Sequence, residues 1–190
     1  MIEVRPGGRR RIDRVLAADY VRELGELSLI ELRARRDEAA QEETDLSYLR
    51  RLLHARIDIV RAEQARRSSG GQDSVVGQLA AILADNALGP ASVGRYQQLE
   101  PSRAGEYRRQ AEALVGNSDL TDVGELPDEK LAHALSTYGE EESSVSSRRR
   151  EVQLVVDTIN AEIAGRYRQG TASVDELLAN ERAKKAENTE

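Results

Sequence analysis

A chain of 190 residues with 39% hydrophobic and 33% charged residues, six Tyr and neither Phe nor Trp, lacks the side chains for a broad globular core. The absence of Cys excludes disulfides and thiolate chemistry, and two His far apart in sequence argue against a zinc site. A net charge of −6 argues against general DNA binding, which depends on neutralising phosphates.

In chain order, "MIEVRPGGRRRIDR" reads as a basic tail over 1–14, able at most to touch an acidic partner. "VLAADYVREL" then predicts a short helix within 15–26, interrupted by Gly25. A long helix follows over 27–67. Ser28 with Glu31 fits a capping box at its start, and no Gly or Pro interrupts it from Leu29 to Arg66. "SSGGQDS" ends it. The connecting segment 68–125 holds two short helical candidates, "VVGQLAAILADNAL" and "SRAGEYRRQAEALVG", punctuated at Gly89, Pro90 and Gly116. "LPDEKL" opens a second long helix over 126–168, with Pro127 where a helix entry tolerates it. Residues 169–190 read as a flexible tail. No run approaches the roughly 18 apolar residues of a membrane span and no signal peptide opens the chain, so the expected location is the cytoplasm.

The two long helices are copies of each other. A shift of 99 residues puts Leu32 on Leu131, Glu42 on Glu141, Glu43 on Glu142, Ser47 on Ser146, Arg50 on Arg149, Arg51 on Arg150 and Asp58 on Asp157. Leu46, Leu53 and Val60 meet Val145, Val152 and Ile159 under the same shift, each triplet spaced by seven as in a coiled-coil seam. The expected fold is all-α: a long antiparallel two-helix coiled-coil hairpin, with a short N-terminal helix and a partly helical inter-helix segment.

The repeated polar set is Glu43, Ser47, Arg50, His54 and Asp58 in one copy, and Glu142, Ser146, Arg149, Gln153 and Asp157 in the other. At about 100° per residue, the five positions of a copy fall within an arc of about 80°, on the flank of the seam. Parallel packing turns the two flanks to opposite sides. Antiparallel packing turns both to the same side and merges ten polar residues into one surface of approximate two-fold symmetry.

These residues have the chemistry of recognition. No nucleophile–base pair, P-loop, dinucleotide fingerprint or metal-ligand spacing is present, so no enzyme is expected. Carboxylates accept the paired N–H donors of a guanine edge, while the Arg fork matches guanine O6/N7 or a phosphate. Ser supplies a short hydroxyl, and Gln or His adaptable donors and acceptors. Charged strips on long helices are commonly solvated faces laced with i,i+4 pairs; two copies in register, flanking the seam identically, favour a ligand.

The doubled Glu-x3-Ser-x2-Arg-x3-Gln-x3-Asp pattern, with "LSYLRRLLHARIDIVRAE" around its first copy, resembles the RsiG family of actinobacterial anti-sigma factors. The resemblance covers both long helices and the lead-in "RIDRVLAADYVREL". It implies an antiparallel hairpin holding a dimer of cyclic di-GMP on the motif surface. It also implies a partner, a flagellar-type sporulation sigma factor of the WhiG kind, kept from core RNA polymerase while the nucleotide is bound. Carried over residue by residue, the motif marks the ten positions named above, with His54 standing where the family has Gln. Arg51 and Arg150 are weaker candidates for phosphate or sigma contacts. Two other readings stay open: a cyclic di-GMP-binding adaptor with a different client, and a plain coiled-coil scaffold.

Overall fold

The computed structural model describes residues 3–70, 100–114 and 120–170. The expected helix "VVGQLAAILADNAL", the punctuation at Gly89, Pro90 and Gly116, and the tail beyond residue 170 lie outside the described residues. Four α-helices are present among the rest: α1 (Arg11–Val15), α2 (Leu29–Ser68), α3 (Ala104–Ala113) and α4 (Asp128–Arg168). Two 3-10 turns, Leu24–Glu26 and Leu120–Glu125, precede the long helices α2 and α4. No strand occurs among the described residues. The chain divides into two compact units: a central unit of Gln41–Arg150 with Met1–Glu3, and a terminal unit of Val4–Ala40 with Glu151–Glu190.

α2 starts where the sequence expects it. The Glu31 carboxylate accepts from the Ser28 N–H at 2.8 Å and from its hydroxyl at 2.7 Å, while Ser28 Oγ accepts from the Glu31 N–H at 3.3 Å. This reciprocal pair satisfies amides that the first turn would leave orphaned. Both long helices carry apolar heptads longer than the sequence triplets. Leu32, Ala39, Leu46, Leu53 and Val60 on α2, and Leu131, Tyr138, Val145, Val152 and Ile159 on α4, are all at most 1% exposed. Each stripe keeps its spacing of seven through five members, which is what lets two helices wind along one seam.

In the central unit, Leu46, Leu49, Leu53, Ile57 and Val60 of α2 are buried, as are Leu131, Ala134, Tyr138 and Val145 of α4. Pairings across the seam fix the direction. Glu43 meets Arg149, Arg50 meets Glu142, and Arg67 meets Asp128, so α4 numbers fall as α2 numbers rise. The helices are antiparallel. Near the end of α2, the buried Glu63 carboxylate accepts from Arg66 at 2.7 Å twice and from Arg67 at 2.6 Å. Arg67 also reaches the Val123 and Gly124 carbonyls, stitching the 3-10 turn to α2.

In the terminal unit, Leu24, Leu32, Ile159 and Ile163 form a buried cluster, with Tyr20, Val21, Leu27, Val155 and Tyr167 packed around it. The Arg166 guanidinium gathers the carbonyls of Leu24, Gly25 and Leu27, at 2.7, 3.1 and 2.5 Å. The turn before α2 is thereby held by α4.

The N-terminal lead-in differs from the expectation of a basic tail over 1–14 and a helix within 15–26. The short helix is α1, which starts inside the expected tail and ends at Val15, and Ile12 and Val15 are buried. Asp13 explains it: its buried carboxylate accepts from the Arg5 N–H at 2.9 Å, from the Arg10 N–H at 3.3 Å and from the Arg10 guanidinium at 2.7 and 2.8 Å. The Arg10 and Arg5 hydrogen bonds outweigh burial and hold the Asp13 carboxyl well below the usual range. Beyond Val15 the chain turns instead of continuing helically. The Tyr20 carbonyl accepts from Arg35, whose guanidinium lies 5.5 Å from the Tyr20 ring, and Glu23 adopts a left-handed φ of 54°. Tertiary contacts to α2 override the helical preference of "VLAADYVREL".

Two outcomes follow. Leu53→Ala, at a site with no exposure, should cost about 2–5 kcal/mol in chemical denaturation. Hydrogen bonds from Arg66 hold the Glu63 carboxyl at about 2, against an ordinary 4.5. Its contribution to stability is therefore complete above pH 4.5 and lost as pH falls toward 2. Acid titration of Glu63→Gln should show a shallower loss of stability across that window than wild type.

Candidate functional site

The repeated polar positions sit on the middle turns of α2 and near the midpoint of α4. Eight of the ten belong to the central unit: Glu43, Ser47, Arg50, His54, Asp58, Glu142, Ser146 and Arg149. Gln153 and Asp157 follow on α4 within the terminal unit, four residues apart on one face of the helix.

Within the central unit the two copies bond to each other crosswise. Arg149 Nη1 donates to Glu43 Oε1 at 2.9 Å, and Arg50 Nε donates to Glu142 Oε1 at 3.1 Å. Each Glu also accepts from the Ser one turn along its own helix, Ser47 to Glu43 at 3.1 Å and Ser146 to Glu142 at 2.6 Å. These four bonds map onto one another under the 99-residue shift, which is the two-fold relation that antiparallel packing of a duplicated helix produces. Two further contacts gather around the second copy: Arg50 Nε also donates to Ser146 Oγ at 3.0 Å, and His54 Nε2 lies 3.1 Å from Glu142 Oε1.

Glu142 thus meets Ser146, Arg50 and His54 together. Burial pushes its carboxyl up, but the hydrogen bonds from Ser146 and Arg50 and the neighbouring His54 more than offset it and leave it below the ordinary value. It stays ionised at neutral pH and serves as an acceptor. The side chains remain partly open: Arg50 is 40% exposed, His54 35% and Glu142 20%. The terminal nitrogens of Arg50 donate to no described residue, and the buried Nε of Arg149 has no hydrogen-bond partner among the described residues. Asp58 is half-buried, Asp157 exposed, and each makes further contacts of its own. Of the weaker candidates, Arg51 and Arg150 are both exposed, and Arg150 Nε donates to the Ser146 carbonyl at 3.3 Å.

Sequence reasoning missed a second polar cluster in the central unit, beside the strip and away from its open face. Asp45 accepts from the Ser102 N–H and hydroxyl, both at 2.6 Å, and from Arg103 Nε at 3.4 Å. Arg103 also donates to Glu42 at 2.5 Å, and Gln110 to Glu141 at 3.4 Å. Glu42 and Asp45 have no exposure and Glu141 4%. A signal was available. On a helical wheel Glu42 falls about 100° from Glu43, in line with Val60 of the seam, so Glu42 and its counterpart Glu141 face inward while Glu43 and Glu142 line the strip.

The fold and strip define a class: a helical hairpin built from a duplicated helix, with a recognition surface of reciprocal acid–base pairs along its flank. The RsiG-like family model matches residues 18–83 and 117–181, more than half of the chain and the whole of both long helices. No curated protein matches it. The chain belongs to the RsiG family. That family points to a function of the anti-sigma factor type, a regulator rather than an enzyme. No helix among the described residues is long and apolar enough to cross a membrane.

Ion pairs this exposed are worth about 0.2–1 kcal/mol each. Arg50→Ala and Arg149→Ala should accordingly retain wild-type helicity by circular dichroism and lose no more than a few degrees of Tm. A collapse of helicity would make the pairs structural.

Proposed function

We propose that this protein is an anti-sigma factor whose doubled motif holds a dimer of cyclic di-GMP and thereby captures a flagellar-type sporulation sigma factor of the WhiG kind. One observation carries the reading: the two motif copies converge crosswise in the central unit, Arg50 on Glu142 and Arg149 on Glu43, with donors that meet no acceptor among the described residues. Such a strip offers repeated carboxylates for guanine N–H edges and repeated guanidinium forks for phosphates or guanine O6/N7. It is duplicated as a symmetric nucleotide pair requires.

The residue types fit the nucleotide. Glu142 is held ionised and so accepts without a proton transfer. Among the described residues, the terminal nitrogens of Arg50 and the Nε of Arg149 meet no acceptor. Ser47 and Ser146 hold the two Glu carboxylates in place from their own helices. Asp58, Gln153 and Asp157 complete the set by the family pattern. His54, standing where that pattern has Gln, shares Glu142 with Arg50 and keeps a donor at the same place on the strip. High nucleotide then favours the sigma complex, and falling nucleotide releases the sigma factor.

The test is co-purification of the full chain with the sigma factor across cyclic di-GMP concentrations. Wild type should retain the partner only with nucleotide. Arg50→Ala and Arg149→Ala should lose nucleotide-dependent retention, and His54→Gln should keep it within a few-fold. Retention by both Arg variants at wild-type nucleotide concentrations would remove the strip from the site. Retention equal with and without nucleotide would leave a nucleotide-independent adaptor or scaffold.

A further inference from the structure

Position 54 is where the two copies of the motif differ in chemistry. The 99-residue shift puts His54 on Gln153, so one copy carries a titratable ring where the other carries a neutral amide. His133 is the chain's other His. On the helical wheel it falls about 180° from Glu142, away from the strip. His54 lies on the strip, 35% exposed, with Nε2 3.1 Å from Glu142 Oε1. Its own helix brings Arg50 and Arg51 one turn before it and Asp58 one turn after. From α4 come Glu142, Ser146 on the same carboxylate and, one turn earlier, Tyr138, whose buried phenol pairs with Arg56. α3 and the turn before it are tied elsewhere, to Glu42, Asp45, Arg56 and Glu141.

Glu142 fixes what the ring can offer. Its Oε1 meets Arg50 Nε, Ser146 Oγ and His54 Nε2 together, and its Oε2 meets no donor among the described residues. The carboxylate is ionised at neutral pH and can only accept, so the ring nitrogen facing it carries the hydrogen. Neutral His54 therefore presents Nδ1 as an acceptor. A second proton turns Nδ1 into a donor and makes the ring cationic, whereas the amide at Gln153 keeps its donors at any pH. Charge points the same way. In the central unit the strip holds three carboxylates, Glu43, Asp58 and Glu142, against two guanidiniums, Arg50 and Arg149. One negative charge is left over, and a proton on His54 cancels it.

We propose that recognition on this half of the strip is proton-coupled: His54 takes up a proton as the anionic nucleotide arrives and offers Nδ1–H to a phosphate oxygen. Imidazole is the side chain whose charge changes between about pH 5 and 8. The ligand favours the charged ring, so the gain in affinity is present below that range and lost above it. A phosphodiester keeps its single charge across the physiological range, so the titration belongs to the protein. Glu142 stays available throughout, since a guanine edge can take Oε2 while His54 remains on Oε1. This coupling rests on the nucleotide reading above, to which it adds a second signal, pH.

Isothermal titration calorimetry of the full chain with cyclic di-GMP, in pairs of buffers that differ in ionisation enthalpy, reads affinity and proton uptake together. Wild type should bind roughly three- to tenfold more tightly at about pH 6 than at about pH 8, with a buffer-dependent heat that reports the uptake. His54→Gln should lose both the pH dependence and the uptake; Gln already stands at this place in the other copy, so the helix tolerates it. His133→Gln should retain both. Affinity that falls with acid, a profile that survives in His54→Gln, or one lost in His133→Gln overturns the coupling. Wild-type binding that is equal across the range, without proton uptake, overturns the coupling alone and leaves the nucleotide reading standing. Absence of wild-type binding at every pH removes the nucleotide reading and the coupling with it.

Discussion

A glutamate can reach the arginine of its own repeat on a neighbouring helix, and be answered by the reciprocal pair, only when the two helices run in opposite directions. That constraint organises the central unit. The seam of Leu46, Leu53 and Val60 against Leu131, Tyr138 and Val145 supplies the apolar burial. Crosswise bonds from Arg149 to Glu43 and from Arg50 to Glu142 record the direction in polar chemistry. Heptads alone specify neither direction nor register uniquely; charge pairs beside them disfavour the alternatives.

The same helices hold acids in three environments. Glu43 and Glu142 flank the seam, half-buried and bonded across it. Glu42 and Glu141 lie in line with the seam and Asp45 on its far side, all three buried and bonded to α3 or the turn before it. Glu63 is buried near the end of α2 and neutralised by two arginines of its own last turns. Burying a carboxylate is costly without paired donors, and each of these has at least one hydrogen-bond donor. Low apolar content is compatible with an ordered fold here because a two-helix seam needs few large side chains. Arginines take the place of aromatic bulk at the margins, as Arg35 does over Tyr20 and Arg103 over Tyr107.

Much of this was legible beforehand, for identifiable reasons. The 99-residue repeat exposed both long helices, their seam and the polar strip, since a spacing of seven and a shared constellation survive without knowledge of tertiary contacts. Ser28 and Glu31 marked the start of α2 because capping is local chemistry. The lead-in was not legible: "VLAADYVREL" has helical composition, yet Arg35 on α2 claims the Tyr20 carbonyl and Asp13 starts the short helix earlier. Nor was the docking of α3, which depends on Ser102 and Arg103 meeting Asp45 and Glu42 from some 60 positions away. Local pattern cannot report a contact of that separation. The antiparallel argument put both flanks on one side; the crosswise bonds between Arg and Glu, and the pull of His54 on Glu142, needed coordinates.

The central claim is that a symmetric strip recognises a symmetric pair of nucleotides and that this pair completes the surface seen by the sigma factor. Native mass spectrometry of the chain with its sigma partner, at increasing cyclic di-GMP, tests it most directly. The account predicts a ternary species carrying two nucleotides per chain and no binary protein complex when nucleotide is withheld. A protein complex of equal abundance without nucleotide, or one that never acquires the nucleotide mass, would contradict it.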